Sequence, residues 1–234
     1  MIHTDPRTRL VQTSAIDLTP PIRPRQREYT SGEEGSVHLD VVLRPAREAD
    51  IPDLAQLFIL AGDGIVDALY HDLVPGVSTE KLFEWRFRQV GSVKSYEYCW
   101  IAQDGPRPVG MVHAFPIDRL ADAPSDPRLT SDRLALLVPI AELDEKARGS
   151  YYINVIAVYP DCRSGGIGSR LLARAVSDAQ QQGFAEASLV VFEQNTGAVS
   201  LYQRLGFQIV ARSPVVPHPL VRRTGNMLLM TRRL

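Results

Sequence analysis

Apolar and polar positions divide the chain near Val37. Before it, the run TPPIRPRQREYTSGEEGS holds proline, arginine, glutamate and glycine with few large apolar side chains. Such a stretch buries too little surface to offset its ordering entropy, so residues 1–36 are expected to form a flexible tail. After it, VHLDVVLRPA alternates loosely and predicts a first strand over 38–44. Ile51, Leu54, Leu57 and Phe58 then recur at helical spacing, with Asp50 placed as an N-cap and Pro52 in the first turn. Gly62 and Gly64 stop that helix. A second helix is expected over 79–90, where Leu82, Phe83, Phe87 and Val90 make an apolar face. Residues 96–102 and 109–115 read as strands joined by a five- or six-residue turn through Asp104-Gly105-Pro106-Arg107-Pro108.

Residues 116–150 have no clean period. DRLADAPSDPRLTSD is polar, and RLALLVPIAELDEKARG is apolar but interrupted by Pro139, so some helix and a long loop are expected there. Periodicity returns at Tyr152–Val158, a β-branched and aromatic strand stopped by Pro160. A helix follows from Ile167 to Gln182, with Ile167, Leu171, Leu172, Ala175, Val176 and Ala179 on one face and Gly183 as its stop. Ala187–Phe192 is a strand, Thr196–Leu205 a short helix closed by Gly206, and 207–212 and 227–231 are the last two strands. The domain is therefore expected to run over 37–234.

The stretch YYINVIAVYPDCRSGGIGSRLL carries the chemistry. A strand meets a glycine loop, and the loop opens a helix. Glycines let the backbone approach a ligand and turn its N–H groups inward. A helix N-terminus adds unpaired donors and partial positive charge, which suits a phosphate, and Arg163 can add a full charge. The nucleotide P-loop pattern is absent, and Lys81, Lys94 and Lys146 follow no glycine run. The dinucleotide G-x-G-x-x-G pattern fails because Leu171 stands where its third glycine belongs.

What is present is R163-x-x-G166-x-G168, followed by N195-x-x-A198-x-x-L201-Y202-x-x-L205-G206-F207. These two ordered motifs resemble those of the GNAT superfamily, the Gcn5-related N-acetyltransferases. The resemblance implies a mixed α/β fold, with a mostly antiparallel central sheet flanked by helices and splayed between its fourth and fifth strands. It makes 116–150 an insertion. It also implies transfer of an acetyl group from acetyl-CoA to a primary amine by direct attack. The backbone from Ser164 through Gly165, Gly166, Ile167 and Gly168 to Ser169 would hold the pyrophosphate, beside Arg163. Ile156, Ala157 and Val158 would offer backbone groups to the pantetheine arm, as a strand does at a sheet edge. A backbone N–H between Val155 and Val158 would face the developing oxyanion. Asn195, Ala198 and Tyr202 share one face of the short helix, with Leu201 and Leu205 on the neighbouring, buried stripe. The resemblance assigns Asn195 and Ala198 to cofactor binding, and Tyr202 to proton donation toward the leaving thiolate.

Two features depart from the family or leave choices open. Where some relatives carry a glutamate base, this chain has Tyr152, and Asn154 two residues on cannot ionise either. His113, Glu193 and a water chain remain as bases. The acceptor is expected against the segment between Gly62 and Thr79, whose Asp63, Asp67, Tyr70, His71 and Asp72 suit a cationic amine.

Composition narrows the partners. The 234 residues have a net charge of −1, which favours neither nucleic acid nor an anionic membrane. Hydrophobic residues make up 44%, enough to fill a core. Cys99 and Cys162 are too few for a disulfide framework and form no C-x-x-C pair, so a cytoplasmic setting is the default. An acyl-cysteine at Cys162 is not the family norm. The five histidines have no metal-ligand spacing, and no metal is expected. MIHTDPRTRL lacks an apolar core, so no secretory signal is expected there, and no apolar run is long enough to span a bilayer. Acceptor identity and oligomeric state are open, a homodimer among the options. Two rival readings stand beside the main one: use of another acyl-CoA, and a non-catalytic acyl-CoA sensor.

Overall fold

The structure, a computed structural model, describes residues 40–122 and 126–234. The tail expected over 1–36 lies outside the described residues. Seven strands form one sheet: β1 (Val41–Pro45), β2 (Cys99–Asp104), β3 (Arg107–Pro116), β4 (Tyr151–Val158), β5 (Glu186–Phe192), β6 (Gln208–Pro214) and β7 (Asn226–Arg233). Their spatial order is β1-β2-β3-β4-β5-β7-β6. Every neighbouring pair is antiparallel except β4 and β5. This is the mixed, mostly antiparallel sheet that the residue pattern and the family resemblance lead one to expect.

Strand alternation assigns the two faces. Tyr151 and Ile153 of β4 and Ala187, Leu189 and Val191 of β5 share a core with helix α6 (Ile167–Gln181). Tyr152, Val190 and Phe192 pack on the other face, with helix α5 (Val138–Lys146) and helix α2 (Ile65–Tyr70). Helices α1 (Ile51–Ala61) and α3 (Thr79–Phe87) cover Ile101, Met111 and Ala157. The register between β3 and β4 slips at Asn154: His113 faces Val155 while Ala114 faces Ile153. One extra residue inverts the alternation. Beyond the bulge, Ile156 and Val158 therefore join the α6 face and Val155 and Ala157 the α1 face.

Local expectations fail where tertiary contacts decide. Asp50 precedes α1 but does not cap it; its carboxylate accepts from Arg44 Nη1 and Nη2 at 2.6 and 2.7 Å and from Arg47 N at 2.7 Å. The Arg44 contact and the backbone donor hold its pKa below the usual value against the opposing effect of burial. Val90 lies past the end of α3 and is 67% exposed, so it is not part of the apolar face. The hairpin between β2 and β3 turns on Gly105 and Pro106 alone, with Gly105 at φ +53. The segment 62–79 is not all loop, since α2 occupies its centre. Residues 131–146 hold two helices, α4 (Ser131–Ala135) and α5, and Pro139 sits in the first turn of α5, where a missing N–H costs nothing.

Candidate functional site

β4 and β5 pair only through Tyr151 with Ala187 and Tyr152 with Ser188. From Ile153 onward the bulged β4 leaves β5, which stays bonded to β7 along its whole length. The facing edges of the two central strands thus open into a wedge. Ile156, Ala157 and Val158 line its β4 side, where their backbones keep the β3 ladder and have no β5 partner among the described residues.

The glycine loop stands at the open end of the wedge. After a single turn at Pro160–Cys162, Ser164 and Gly166 both take left-handed backbone, at φ +69 and +75. Two such residues within three fold the loop back on itself and leave N–H groups pointing outward. The N–H groups of Ser164, Gly165 and Gly166 have no acceptor among the described residues, and those of Ile167, Gly168 and Ser169 are the unpaired first-turn donors of α6. A Cβ at Gly165 or Gly166 would meet nothing within 4 Å, so the concave side is open. Arg163 is exposed and folds over the strand end, donating from Nε to Val158 O at 3.1 Å. The loop therefore fits an anion such as a pyrophosphate.

Helix α7 (Thr196–Arg204) closes the same corner, since a Cβ on Gly168 would lie 3.6 Å from Leu201 Cδ2. Asn195 is its N-cap, with Oδ1 accepting from Ala198 N at 3.4 Å. No residue of α7 is fully buried, so Leu201 and Leu205 are half-buried rather than core. Ala198, Tyr202 and Leu205 rest against the α6 core, with the Tyr202 ring 6.2 Å from that of Phe207. The Tyr202 phenol has no hydrogen-bond partner among the described residues, and burial pushes its pKa up to about 12.

Both side chains considered as bases are engaged elsewhere. His113 is 1% exposed; Nε2 lies 2.7 Å from Val93 O and Nδ1 3.0 Å from Asn154 Nδ2. Phe58, Phe87 and Phe115 surround its ring, and burial lowers its pKa to about 4. A neutral imidazole donating to Val93 and accepting from Asn154 satisfies every contact. Glu193 accepts from Asn226 at 2.8 Å and Arg212 at 3.4 Å, and these partners hold its pKa below the usual carboxylate range.

The acceptor segment is clamped from two sides. Asp63 pairs with Arg223 at 3.1 Å, while Arg133 of α4 donates to Leu69 O and His71 O at 2.7 and 2.8 Å. Tyr70 accepts from Arg86 at 3.1 Å, and His71 contacts Asp72 on the surface. Of the five side chains singled out from the sequence, Asp67 lines a cavity. That cavity, of about 230 Å³, is also bounded by Gln56, Ile59, Leu60, Glu80 and Arg222.

One polar group was not legible as functional. Ile140, Leu143, Asp144 and Ala147 form the inward stripe of α5, and Asp144 is its polar member. Asp144 Oδ1 is buried with no hydrogen-bond partner among the described residues. Burial raises the carboxyl pKa to about 6, while the Tyr152 phenol facing it pulls the value back. The signal in the sequence was the carboxylate on an apolar stripe, hidden because Pro139 obscured the helix.

The chain matches the model of the acetyltransferase (GNAT) family over residues 65–207, more than half its length. It belongs to the GNAT family. Among curated relatives, this GNAT chain is 41% identical over 56 residues to an uncharacterised N-acetyltransferase of Methanocaldococcus jannaschii, covering 24% of the chain and 25% of that relative. It is 38% identical over 55 residues to the mycothiol acetyltransferase of Streptosporangium roseum, covering 24% of the chain and 16% of that enzyme. The match therefore spans a quarter or less of each curated relative. Solved structures share the fold over a longer stretch. A GCN5-related N-acetyltransferase from Kribbella flavida aligns at TM-score 0.53 and 20% identity, over 83% of this chain and 98% of that one. An N-acetyltransferase from Staphylococcus aureus Mu50 aligns at 0.58 and 18%, over 81% and 99%. Among the described residues no helix is long and apolar enough to cross a membrane, and no group of three or more side chains is arranged to hold a metal.

Proposed function

We propose that this GNAT protein transfers the acetyl group of acetyl-CoA to a primary amine by direct attack in a ternary complex. The observation that carries this reading is the β4–β5 wedge with an open, N–H-lined loop at its mouth. Phosphate oxygens suit the loop from Ser164 to Ser169 and the guanidinium of Arg163. The pantetheine amides suit the unpaired backbone edge at Ile156, Ala157 and Val158, as an added strand would. Asn195 and Ala198 serve from α7, Asn195 by fixing the helix start that presents Tyr202.

Tyr202 is the group that meets the leaving sulfur. Its raised pKa makes it a weaker acid than a free phenol of about 10, and the thiol's reference value is near 8.5. Full proton transfer in the resting site is uphill by roughly 3 to 4 pKa units, or about 5 kcal/mol. The same desolvation strengthens a hydrogen bond from the phenol to a sulfur acquiring negative charge. The proton moves only as the C–S bond breaks. Cys162 is buried with a raised thiol pKa, a poor setting for a nucleophile. A cationic group of the acceptor remote from the reacting amine suits the cavity bearing Asp67 and Glu80.

The test combines calorimetry with a thiol-release assay. Acetyl-CoA should bind the wild type, and Arg163→Glu or Gly166→Trp should weaken binding while leaving the circular dichroism spectrum unchanged. Thiol release should depend on an added amine from a panel of polyamines, amino acids and peptide N-termini. Tight acetyl-CoA binding without release by any amine would favour the sensing module. Unchanged affinity in both loop variants would remove the basis of the reading.

A further inference from the structure

We propose that Asp144, on the inserted helix α5, is the base that takes the acceptor's proton, with Tyr152 as the residue that positions it. This rests on the acetyl-transfer reading above. The argument begins with where Tyr152 stands. It is the last residue of β4 paired to β5, so it marks the vertex from which the wedge opens. The phosphate loop lies at the opposite end of β4, and Val158 is about 20 Å from Tyr152 along an extended strand. A thioester held in the wedge by its phosphates therefore points its acyl end toward the vertex. Tyr152 stands at that end and has no carboxylate of its own.

Helix α5 supplies one from across the same face of the sheet. Leu143 and Ala147 share a core with Tyr152, Phe192, Met227 and Leu229, and the Asp144 carboxyl faces the Tyr152 phenol. An apolar side chain at 144 would complete the stripe. Instead the chain keeps a carboxylate whose Oδ1 is buried with no partner among the described residues, in the last turn of a helix, where the dipole also opposes negative charge. A buried unpaired acceptor is costly, and native structures hold few without a reason. A proton acceptor needs this arrangement: a lone pair free of other donors and a raised affinity for H⁺.

Neighbouring charges do not account for Asp144. From the strands against which α5 packs, the charged groups are Glu186 on β5, Arg212 on β6 and Arg232 and Arg233 on β7. Arg212 is taken by Glu193. On α5 itself, Glu142 accepts from Ser213 at 2.7 Å, Glu145 pairs with Arg148 at 2.7 Å, and Lys146 is exposed. The Asp144 carboxyl responds to burial and to Tyr152, and to none of these. The step balances without further reagents. An N–H bond of the ammonium breaks and its proton goes to Asp144. The freed lone pair forms the C–N bond to the acetyl carbon, and the C–S bond breaks. The sulfur takes the Tyr202 proton, the second amine proton returns to Tyr202 through solvent, and Asp144 releases its own to water.

The experiment is a pH–rate profile of thiol release by the full chain, for wild type, Asp144→Asn and Tyr152→Phe, with acetyl-CoA affinity measured in parallel. Wild-type kcat/KM should fall below about pH 6, as Asp144 gains a proton. Asp144→Asn should lose roughly 10²- to 10⁴-fold near neutral pH and show no such acid limb. Tyr152→Phe should keep an acid limb but move it to higher pH, because the phenol lowers the carboxyl pKa; a packing role would not shift it. Cofactor affinity should hold in both variants. Wild-type rates with an intact acid limb in Asp144→Asn overturn the proposal. If that variant does not fold, an unmoved limb in Tyr152→Phe overturns it. A wild type that releases thiol with no amine sinks the acetyl-transfer reading, and this role with it.

Discussion

Helices α5 and α6 cover opposite faces of one sheet, α6 over β2 to β5 and α5 over β5, β7 and β6, and their inward stripes differ in one respect. The inward stripe of α6, from Ile167 through Leu171, Leu172, Ala175 and Val176 to Ala179, is wholly apolar and buried. That of α5 carries Asp144 among Ile140, Leu143 and Ala147. Both helices bury apolar surface, but only α6 does so without an exception. Its proposed contribution to the site comes from its end, where the glycine loop meets the helix N-terminus, and not from its side chains. On α5 the proposed chemistry is a side chain, so the stripe itself must be broken. A helix that serves by its backbone can be optimised for packing, whereas one that serves by a buried carboxylate gives up some stability.

Giving α6 the exception that α5 tolerates should have the largest effect. Leu172 is 1% exposed, and Leu172→Asp places a charge there with no partner; a loss of several kcal/mol is expected, enough to prevent folding. Loss of the cooperative thermal transition checks it, and a folded variant with near-wild-type melting would contradict the contrast between the helices.

Next comes the polar group on the α6 side. Tyr202→Phe removes a hydroxyl that has no partner among the described residues, so stability should hold within about 0.5 kcal/mol. Turnover should fall by roughly 10² to 10⁴ with little change in the Michaelis constant for acetyl-CoA. Equal rates in single-turnover experiments would make Tyr202 a packing residue.

Removing the α5 exception should act in the opposite sense on stability. Burial raises the Asp144 carboxyl from its ordinary pKa of 3.8 to about 6 in the folded state. The folded state thus holds the proton more tightly, and this group's contribution is most favourable below about pH 4 and is lost as pH rises to 6. At pH 7 the cost is about 3 kcal/mol at most. Asp144→Asn should therefore raise the melting temperature at pH 7 and lose that advantage near pH 4. His113 titrates with the other sign: its pKa, lowered from 6.5 to about 4, withdraws stability as pH falls through that window. The informative quantity is accordingly the difference between variant and wild type in denaturant titrations at each pH. A difference independent of pH would mean that the carboxyl is not charged at neutrality.

The smallest effect tests the loop that opens α6. Gly166→Ala puts a Cβ into open space, so the cost is that of left-handed backbone alone, about 1 kcal/mol. Calorimetry should show a modest loss of acetyl-CoA affinity, well below that of Gly166→Trp. An equal loss would mean that the backbone conformation, rather than the open space, holds the anion.

What could be read in advance follows from where the information lies. The β4–loop–α6 unit was legible because each part is encoded locally: β-branched residues, then glycines at 165, 166 and 168, then a clean apolar stripe. The same holds for α7, whose cap Asn195 and stop Gly206 are sequence neighbours of the helix they bound. The flanks were less legible. Asp50 resembled a helix cap, yet Arg44 across the strand end takes its carboxylate. Val90 continued a helical period that the chain did not follow.

The sequence by itself determined the order of the strands, the glycine loop before α6 and the family, because these depend on residues close together in the chain. Only the tertiary structure decided how deep the wedge is, what becomes of His113 and where Asp144 stands. The wedge depends on a bulge at Asn154 seen only against β3. His113 is held between Val93 and Asn154, 20 and 41 residues away, and burial keeps its ring neutral. Asp144 meets Tyr152 only because α5 packs over β5, β7 and β6 on the face of the sheet that Tyr152 shares. Burial and pairing of a titratable group are properties of its surroundings in space, and a linear pattern of residue types does not contain them.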